Sequence, residues 1–239
     1  MRLEYRFYLF DLDRTLWDFD TNSFNTISSL LLYYFKDRVD PTTFYNYYDK
    51  VNRELWVEYE RGAISKKELT SSRFPKVFNY FKIGDTLIAE RFAEQYLEQM
   101  SLQKVLMPHA SEVLEKLSKK GAKMAVVTNG FVEGQYKKMV SAGIDHFFDA
   151  VVTSEEVGLF KPSPPIFKRA LEAIGGVKSE TLMVGDDFIN DIEGAMIFGI
   201  DQFFYNYKGL KGFHGATYSD SDLRALLLSP PQRDLHPPL

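Results

Sequence analysis

Five aspartates, one lysine and one threonine in this chain fall where they could do chemistry. Asp11 and Asp13 are one residue apart in FDLDRT, Phe10 to Thr15. Like charges this close repel, and each needs solvation or a cation. A strand-end turn with Asp13 as a helix cap would account for the pair in purely structural terms. Asp186, Asp187 and Asp191 occupy MVGDDFIND, residues 183–191. Hard oxygen donors of this kind suit Mg²⁺, which takes one or two carboxylates and keeps several waters. Capping of the following helix would explain one of these acids but not all three. In VVTNG, ending at Gly130, the Thr128 hydroxyl and neighbouring backbone N–H groups at a helix start can hold an anion. A plain turn with Asn129 as N-cap is the simpler alternative. Lys161 in GLFKPSPPIF, residues 158–167, lies just ahead of a proline that can start a helix. There it serves either as a point charge against phosphate or as a solvated turn lysine.

The surrounding pattern says where these groups sit. Short apolar runs at residues 6–10, 123–128, 149–153, 181–185 and 202–205 read as buried strands. Helical patterns at 109–120, 132–142, 163–174, 190–198 and 220–228 alternate with them, the first four closed by glycine. Strands apolar throughout, alternating with helices, predict a parallel sheet covered on both faces. The fold expected is therefore α/β, a Rossmann-like doubly wound parallel sheet. Ligands of such sheets bind beyond the carboxyl ends of the strands. Asp11/Asp13, Thr128/Asn129 and Asp186/Asp187 fall at those ends. Residues 15–105 show long helical patterns without a strand run, including a capping box at Ser65 and Glu68. They read as an all-helical cap inserted into a core made of residues 1–14 and 106–228. The proline-rich stretch from 229 to 239 is expected to be disordered.

Bulk composition narrows the classes. The chain has 239 residues, 45% of them apolar and 26% charged, with a net charge of −4, as in ordinary globular domains. A mildly acidic chain carries no electrostatic footprint for a nucleic acid polymer. The absence of cysteine rules out disulfides, thiolate metal sites and a cysteine nucleophile. The first residues, MRLEYRFYLF, are too short and too broken by charge for a secretory signal. No window approaches the roughly 20 apolar residues of a membrane span. A cytoplasmic protein without membrane attachment is expected; nothing in the composition bears on oligomeric state.

Together the motifs resemble the haloacid dehalogenase-like hydrolases, over residues 6 to 228. Asp11-Leu12-Asp13-Arg14-Thr15 is similar to that superfamily's D-x-D-x-T/V nucleophile motif, Thr128 to the second motif, Lys161-Pro162 to the third, and Gly185-Asp186-Asp187 with Asp191 to the fourth. The resemblance implies that Asp11 attacks phosphorus and becomes an aspartyl phosphate. It implies that Asp13 protonates the leaving oxygen and then assists water. It implies Mg²⁺ held by the Asp11 carboxylate, the Asp13 main-chain carbonyl and the Asp186 carboxylate. Thr128 and the Asn129 amide would bind phosphoryl oxygens, and Lys161 would neutralise charge. Asp187 or Asp191 would support the metal shell or Lys161, and the motif leaves that choice open. Arg14 stands where smaller or acidic residues are common in the family. Because 2-haloacid dehalogenases resemble a pattern without the second aspartate, Asp13 argues for phosphate chemistry.

Substrate choice is expected to lie with the cap. Leu55-Trp56, Tyr59-Glu60-Arg61-Gly62 and Arg73-Phe74, with Thr128-Asn129-Gly130-Phe131 in the core, resemble the 5′-nucleotidase branch acting on pyrimidine and non-standard nucleoside monophosphates. Phe131, Trp56 or Tyr59 could stack on a base, although helical aromatics at this spacing also serve as packing. The expected substrate is thus a small phosphorylated metabolite. The alternatives are a phosphoglycolate or sugar-phosphate phosphatase, a phosphomutase, and, in another class, a catalytically silent ligand-binding module.

Overall fold

In the computed structural model, which describes residues 5–228, each of the five apolar runs is a strand. They are β1 (Phe7–Phe10), β2 (Lys123–Thr128), β3 (Ala150–Thr153), β4 (Thr181–Gly185) and β5 (Asp201–Tyr205). A sixth, β6 (Tyr218–Asp220), has no counterpart in the apolar pattern. It is three residues long, only Tyr218 is buried, and it pairs with β5 at the sheet edge. All pairings are parallel, in the order β3-β2-β1-β4-β5-β6.

Register explains why the polar strand ends converge. Phe10 lies level with Val126 of β2 and Val184 of β4. The chain therefore leaves the central strand at Asp11, and its two neighbours at Thr128 and Asp186, all at one edge of the sheet.

Among the described residues, 20–103 form one compact unit, and 5–19 with 104–228 form another. In the sheet unit, the inner helices are α5 (Ala110–Lys119), α6 (Val132–Ala142), the single turn α7 (Ser154–Val157), α8 (Pro164–Ala173) and α9 (Gly194–Phe198), and the helical unit carries α1 (Phe19–Phe35) through α4, described below. Phe7, Leu9, Ala125, Val127 and Met183 pack on one face against Ile166, Phe167, Ala170 and Leu171 of α8. Tyr8, Phe10, Met124, Val126, Leu182 and Val184, pointing the other way, are equally buried. Burial on both faces is what erases polar alternation from these strands.

Two helical expectations change in detail. The 190–198 helix begins with a π-helical turn, Phe188–Glu193, before α9. The 220–228 pattern is a single 3₁₀ segment, Leu223–Leu227, whose start is capped by the Asp222 side chain.

The other unit is helical: most of α1, then α2 (Pro41–Glu60), α3 (Lys66–Phe81) and α4 (Thr86–Met100). Its aromatic wealth is packing. Phe74 sits 4.7 Å from Phe92, 5.0 Å from Tyr96 and 5.1 Å from Tyr48, ring to ring. The Asp40 side chain caps α2, with Pro41 in the first turn. Ser65 and Glu68 form the reciprocal capping box at α3. Among the described residues no helix is long and apolar enough to cross a membrane. The stretch 229–239, expected to be disordered, lies outside the described residues.

Candidate active site

Asp11 follows β1 directly and is buried, as a residue leaving a central strand must be. Lys161, 3% exposed, places its Nζ 2.6 Å from Asp11 Oδ1 and 2.6 Å from Asp191 Oδ1. Burial opposes the lysine's charge, yet Asp11 and Asp191 hold it above the ordinary lysine range. Burial pushes both aspartates the other way, upward, against the pull of Lys161. One ammonium between two buried carboxyls leaves an excess of negative charge that a cation would balance.

Three features aim Lys161. The Asn129 carboxamide brackets its main chain, accepting from Lys161 N at 2.8 Å and donating to Lys161 O at 3.2 Å. The Asn129 side chain is therefore engaged with Lys161, and a phosphate contact from this residue falls to its main-chain N–H. The π-helical turn brings Asp191 back over the strand end, where its second oxygen accepts from Asp187 N at 3.1 Å. Gly185 leaves room for that return, since a Cβ there would lie 2.2 Å from the Asp191 carboxylate. Lys161 thus rests on Asp191. Asp187 is an exposed cap whose Oδ1 accepts from Ile189 N and Asn190 N.

Asp186 is braced by Thr15, whose hydroxyl donates to Oδ1 at 3.3 Å and accepts from Asp186 N at 3.1 Å. Burial, then the charge of Asp11, pushes Asp186 up to about 7. Carboxylate oxygens of Asp11, Asp186 and Asp191 all lie within 4.8 Å of one another. Hard donors this close, one of them poised to shed a proton, fit Mg²⁺. Asp191 has both oxygens already hydrogen-bonded, so Asp11 and Asp186 are the better carboxylate donors.

Asp13 stands apart from that cluster. Its carboxylate accepts from Lys138 Nζ at 2.7 and 2.9 Å and from Gln135 Nε2 at 2.9 Å. Its main-chain carbonyl remains the donor the motif implies for a metal. Arg14, next in line, takes a left-handed φ of 69° and lays its guanidinium over the Phe19 ring at 4.4 Å. Thr128 Oγ1 accepts from Gly130 N at 3.0 Å and from Gln135 Nε2 at 2.8 Å. With both lone pairs engaged, its hydroxyl hydrogen is left to donate, as a phosphoryl oxygen requires. Lys138 and Gln135 were not singled out by sequence. Their i, i+3 spacing on the 132–142 helix, beside buried Met139, is the signal that could have found them.

The expected substrate residues are placed more loosely. Phe131 is the N-cap residue of α6, immediately after Thr128-Asn129-Gly130. Trp56 and Tyr59 form an edge-to-face pair on α2, centroids 5.7 Å apart. Arg73, buried on α3, donates to Asn52 Oδ1 at 3.1 Å and lies 5.9 Å from the Tyr96 ring.

The chain as a whole is similar to several known proteins. The family model described as haloacid dehalogenase-like hydrolase matches residues 8–204. The pyrimidine 5′-nucleotidase PynA of Streptococcus pneumoniae is 32% identical over 227 residues, 92% of this chain and 93% of that protein. The pyrimidine 5′-nucleotidase YjjG of Escherichia coli is 32% identical over 203 residues, covering 83% and 84%. The magnesium-bound structure of the HAD-hydrolase YfnB from Bacillus subtilis superposes with a TM-score of 0.81 at 24% identity, over 93% and 97% of the two chains.

Proposed function

Because this chain belongs to the haloacid dehalogenase-like hydrolase family, we propose that it is a magnesium-dependent phosphomonoesterase working through a phosphorylated Asp11, with pyrimidine nucleoside 5′-monophosphates as substrates. The observation that carries the mechanism is the buried Lys161 between Asp11 and Asp191, at 2.6 Å from each. A lysine held so close beside a carboxylate nucleophile neutralises the charge that would otherwise repel a phosphate dianion.

An Asp11 oxygen attacks phosphorus in line, and the bond from phosphorus to the ester oxygen breaks. Asp13 acts as the acid and passes a proton to the leaving oxygen. Thr128 donates its hydroxyl hydrogen to a phosphoryl oxygen, and Lys161 carries the compensating charge. A water then attacks the aspartyl phosphate, returning a proton to Asp13, and the phosphorus–Asp11 bond breaks to release inorganic phosphate. Asp11, Asp186 and the Asp13 carbonyl would hold Mg²⁺, which would supply positive charge to the transferring group.

The preference for pyrimidine nucleotides is supported by similarity to PynA and YjjG over most of the chain, the cap segment included. Phe131, at the start of α6, is the residue of the sheet unit offered for the base. The test is phosphate release from UMP, CMP, AMP, phosphoglycolate and hexose phosphates, with Mg²⁺, with chelator, and with Asp11→Asn. Magnesium-dependent release, fastest from UMP or CMP and abolished by Asp11→Asn, is expected. Undiminished turnover in Asp11→Asn would remove the nucleophile assignment. A preference for phosphoglycolate or a hexose phosphate would move the chain to another branch.

A further inference from the structure

Resting on the reading of Asp13 as the acid–base group, we propose that Lys138 and Gln135 of α6 are positioning residues that fix the orientation of the Asp13 carboxylate and leave one acceptor site of one oxygen open. Both come from one helix, three residues apart, and reach a carboxylate more than a hundred residues away in sequence. Lys138 Nζ contacts both oxygens, Oδ1 at 2.7 Å and Oδ2 at 2.9 Å. Gln135 Nε2 adds a third contact, to Oδ2 at 2.9 Å.

A carboxylate offers about four acceptor sites, two on each oxygen. Lys138 and Gln135 fill both on Oδ2 and one on Oδ1. The remaining site on Oδ1 is the one where a reacting group can meet Asp13 without displacing a partner. A free aspartate presents either oxygen in several rotamers, whereas this one presents one site of one oxygen. Proton transfer to the ester oxygen, and back from water, then uses the same site each time.

The surroundings hold the clamp in place. Lys138 is buried, with its Nζ 4.5 Å from the Trp17 ring centroid and 5.6 Å from that of Phe19. Both rings belong to the segment that follows Asp13, and Asp13 pairs with Trp17 through an isolated bridge. An ammonium confined between a carboxylate and aromatic faces is held by both. Gln135 is buried as well, and its Nε2 also donates to Thr128 Oγ1 at 2.8 Å. The same amide therefore links the phosphate-binding hydroxyl to the acid–base carboxylate. Because Asp13 and the occupied Thr128 oxygen accept here, the amide must present its nitrogen, which leaves Oε1 buried without a partner among the described residues. Gly130 is shaped to this amide: a Cβ there would sit 1.9 Å from Gln135 Nε2. An unpaired buried carbonyl and a turn cut to fit its own amide are features that packing for stability alone would not select.

The test separates positioning from mere structural support by varying the leaving group. An aryl ester such as 4-nitrophenyl phosphate leaves without much help from an acid, whereas the ribose oxygen of UMP needs its proton. The ratio kcat/KM reports only steps up to formation of the phosphorylated Asp11, and so isolates leaving-group departure. Lys138→Met in the full chain with Mg²⁺ is expected to lower kcat/KM for UMP by about 10²-fold, the scale of general-acid catalysis. The loss on 4-nitrophenyl phosphate should be several-fold smaller. Gln135→Leu should show the same asymmetry more weakly, and Lys138→Arg should restore part of the UMP rate. Equal losses on the two esters in folded variants, or no loss on either, would overturn the proposal. Asp13→Asn marks the distinction from the underlying reading. If it shows no leaving-group asymmetry, Asp13 is not the acid and the proposal falls with that reading. If it shows asymmetry and Lys138→Met does not, only the positioning role is lost.

Discussion

Lys161 and Asp191 form an ion pair closed off from solvent, Nζ to Oδ1 at 2.6 Å, with Lys161 3% exposed and Asp191 0% exposed. The same Nζ serves Asp11 at an equal distance. Lys161→Met would leave two buried carboxylates facing each other. Removing one partner of such a group costs about 3–5 kcal/mol. The loss should be larger near pH 8 than near pH 5, because burial pushes both carboxyls upward and so eases their neutralisation as the pH falls. Urea unfolding of the metal-free variant at the two pH values measures this, and phosphatase activity should fall by about 10³-fold or more, as when a preorganised charge is removed.

Gly185 makes a second prediction. A Cβ there would press on the Asp191 carboxylate at 2.2 Å, and the contact is with a carboxylate already pinned by Lys161 and Asp187 N. Gly185→Ala should destabilise by about 1–3 kcal/mol, the usual cost of overpacking. It should lower kcat more than it raises KM, because the group displaced orients Lys161 rather than binding substrate.

Metal and proton should compete at Asp186. Its carboxyl, raised from 3.8 to about 7 in the metal-free protein, stabilises the fold while protonated. That contribution is present at low pH and is lost as pH rises through about 7. The melting temperature of the metal-free protein should therefore fall between pH 6 and pH 8, and saturating Mg²⁺ should remove most of the fall. Mg²⁺ affinity should strengthen over the same range with release of a proton. Titration calorimetry in two buffers of different ionisation heat measures that proton directly. An affinity independent of pH would count against Asp186 as a ligand.

The helical unit offers a control. Ser65 closes a capping box with Glu68, Ser65 N to Glu68 Oε2 at 2.8 Å and Glu68 N to Ser65 Oγ at 3.2 Å. Ser65→Ala should cost about 1 kcal/mol of stability and leave kcat on 4-nitrophenyl phosphate unchanged.

Local rules account for much of the core. Five strands were legible because a strand buried on both faces has no polar alternation to lose, and their ends were legible because the apolar run breaks there at a polar side chain. That is how Asp11, Thr128 and Asp186 came to be read together. The tertiary structure alone decided who meets whom. The motif leaves Asp187 and Asp191 as alternatives, but a π-helical turn carries only Asp191 back onto Lys161 and leaves Asp187 as an exposed cap. Asn129 reads as a cap or a phosphate ligand, but packing sets its carboxamide against the main chain of Lys161. Lys138 looks like any helix lysine until the fold sets it against Asp13, 125 residues away. The strand β6 was hidden because three residues with one buried side chain carry no period. Periodicity is a property of neighbours along the chain, whereas these partnerships depend on register between strands and on the closeness glycine permits at positions 130 and 185.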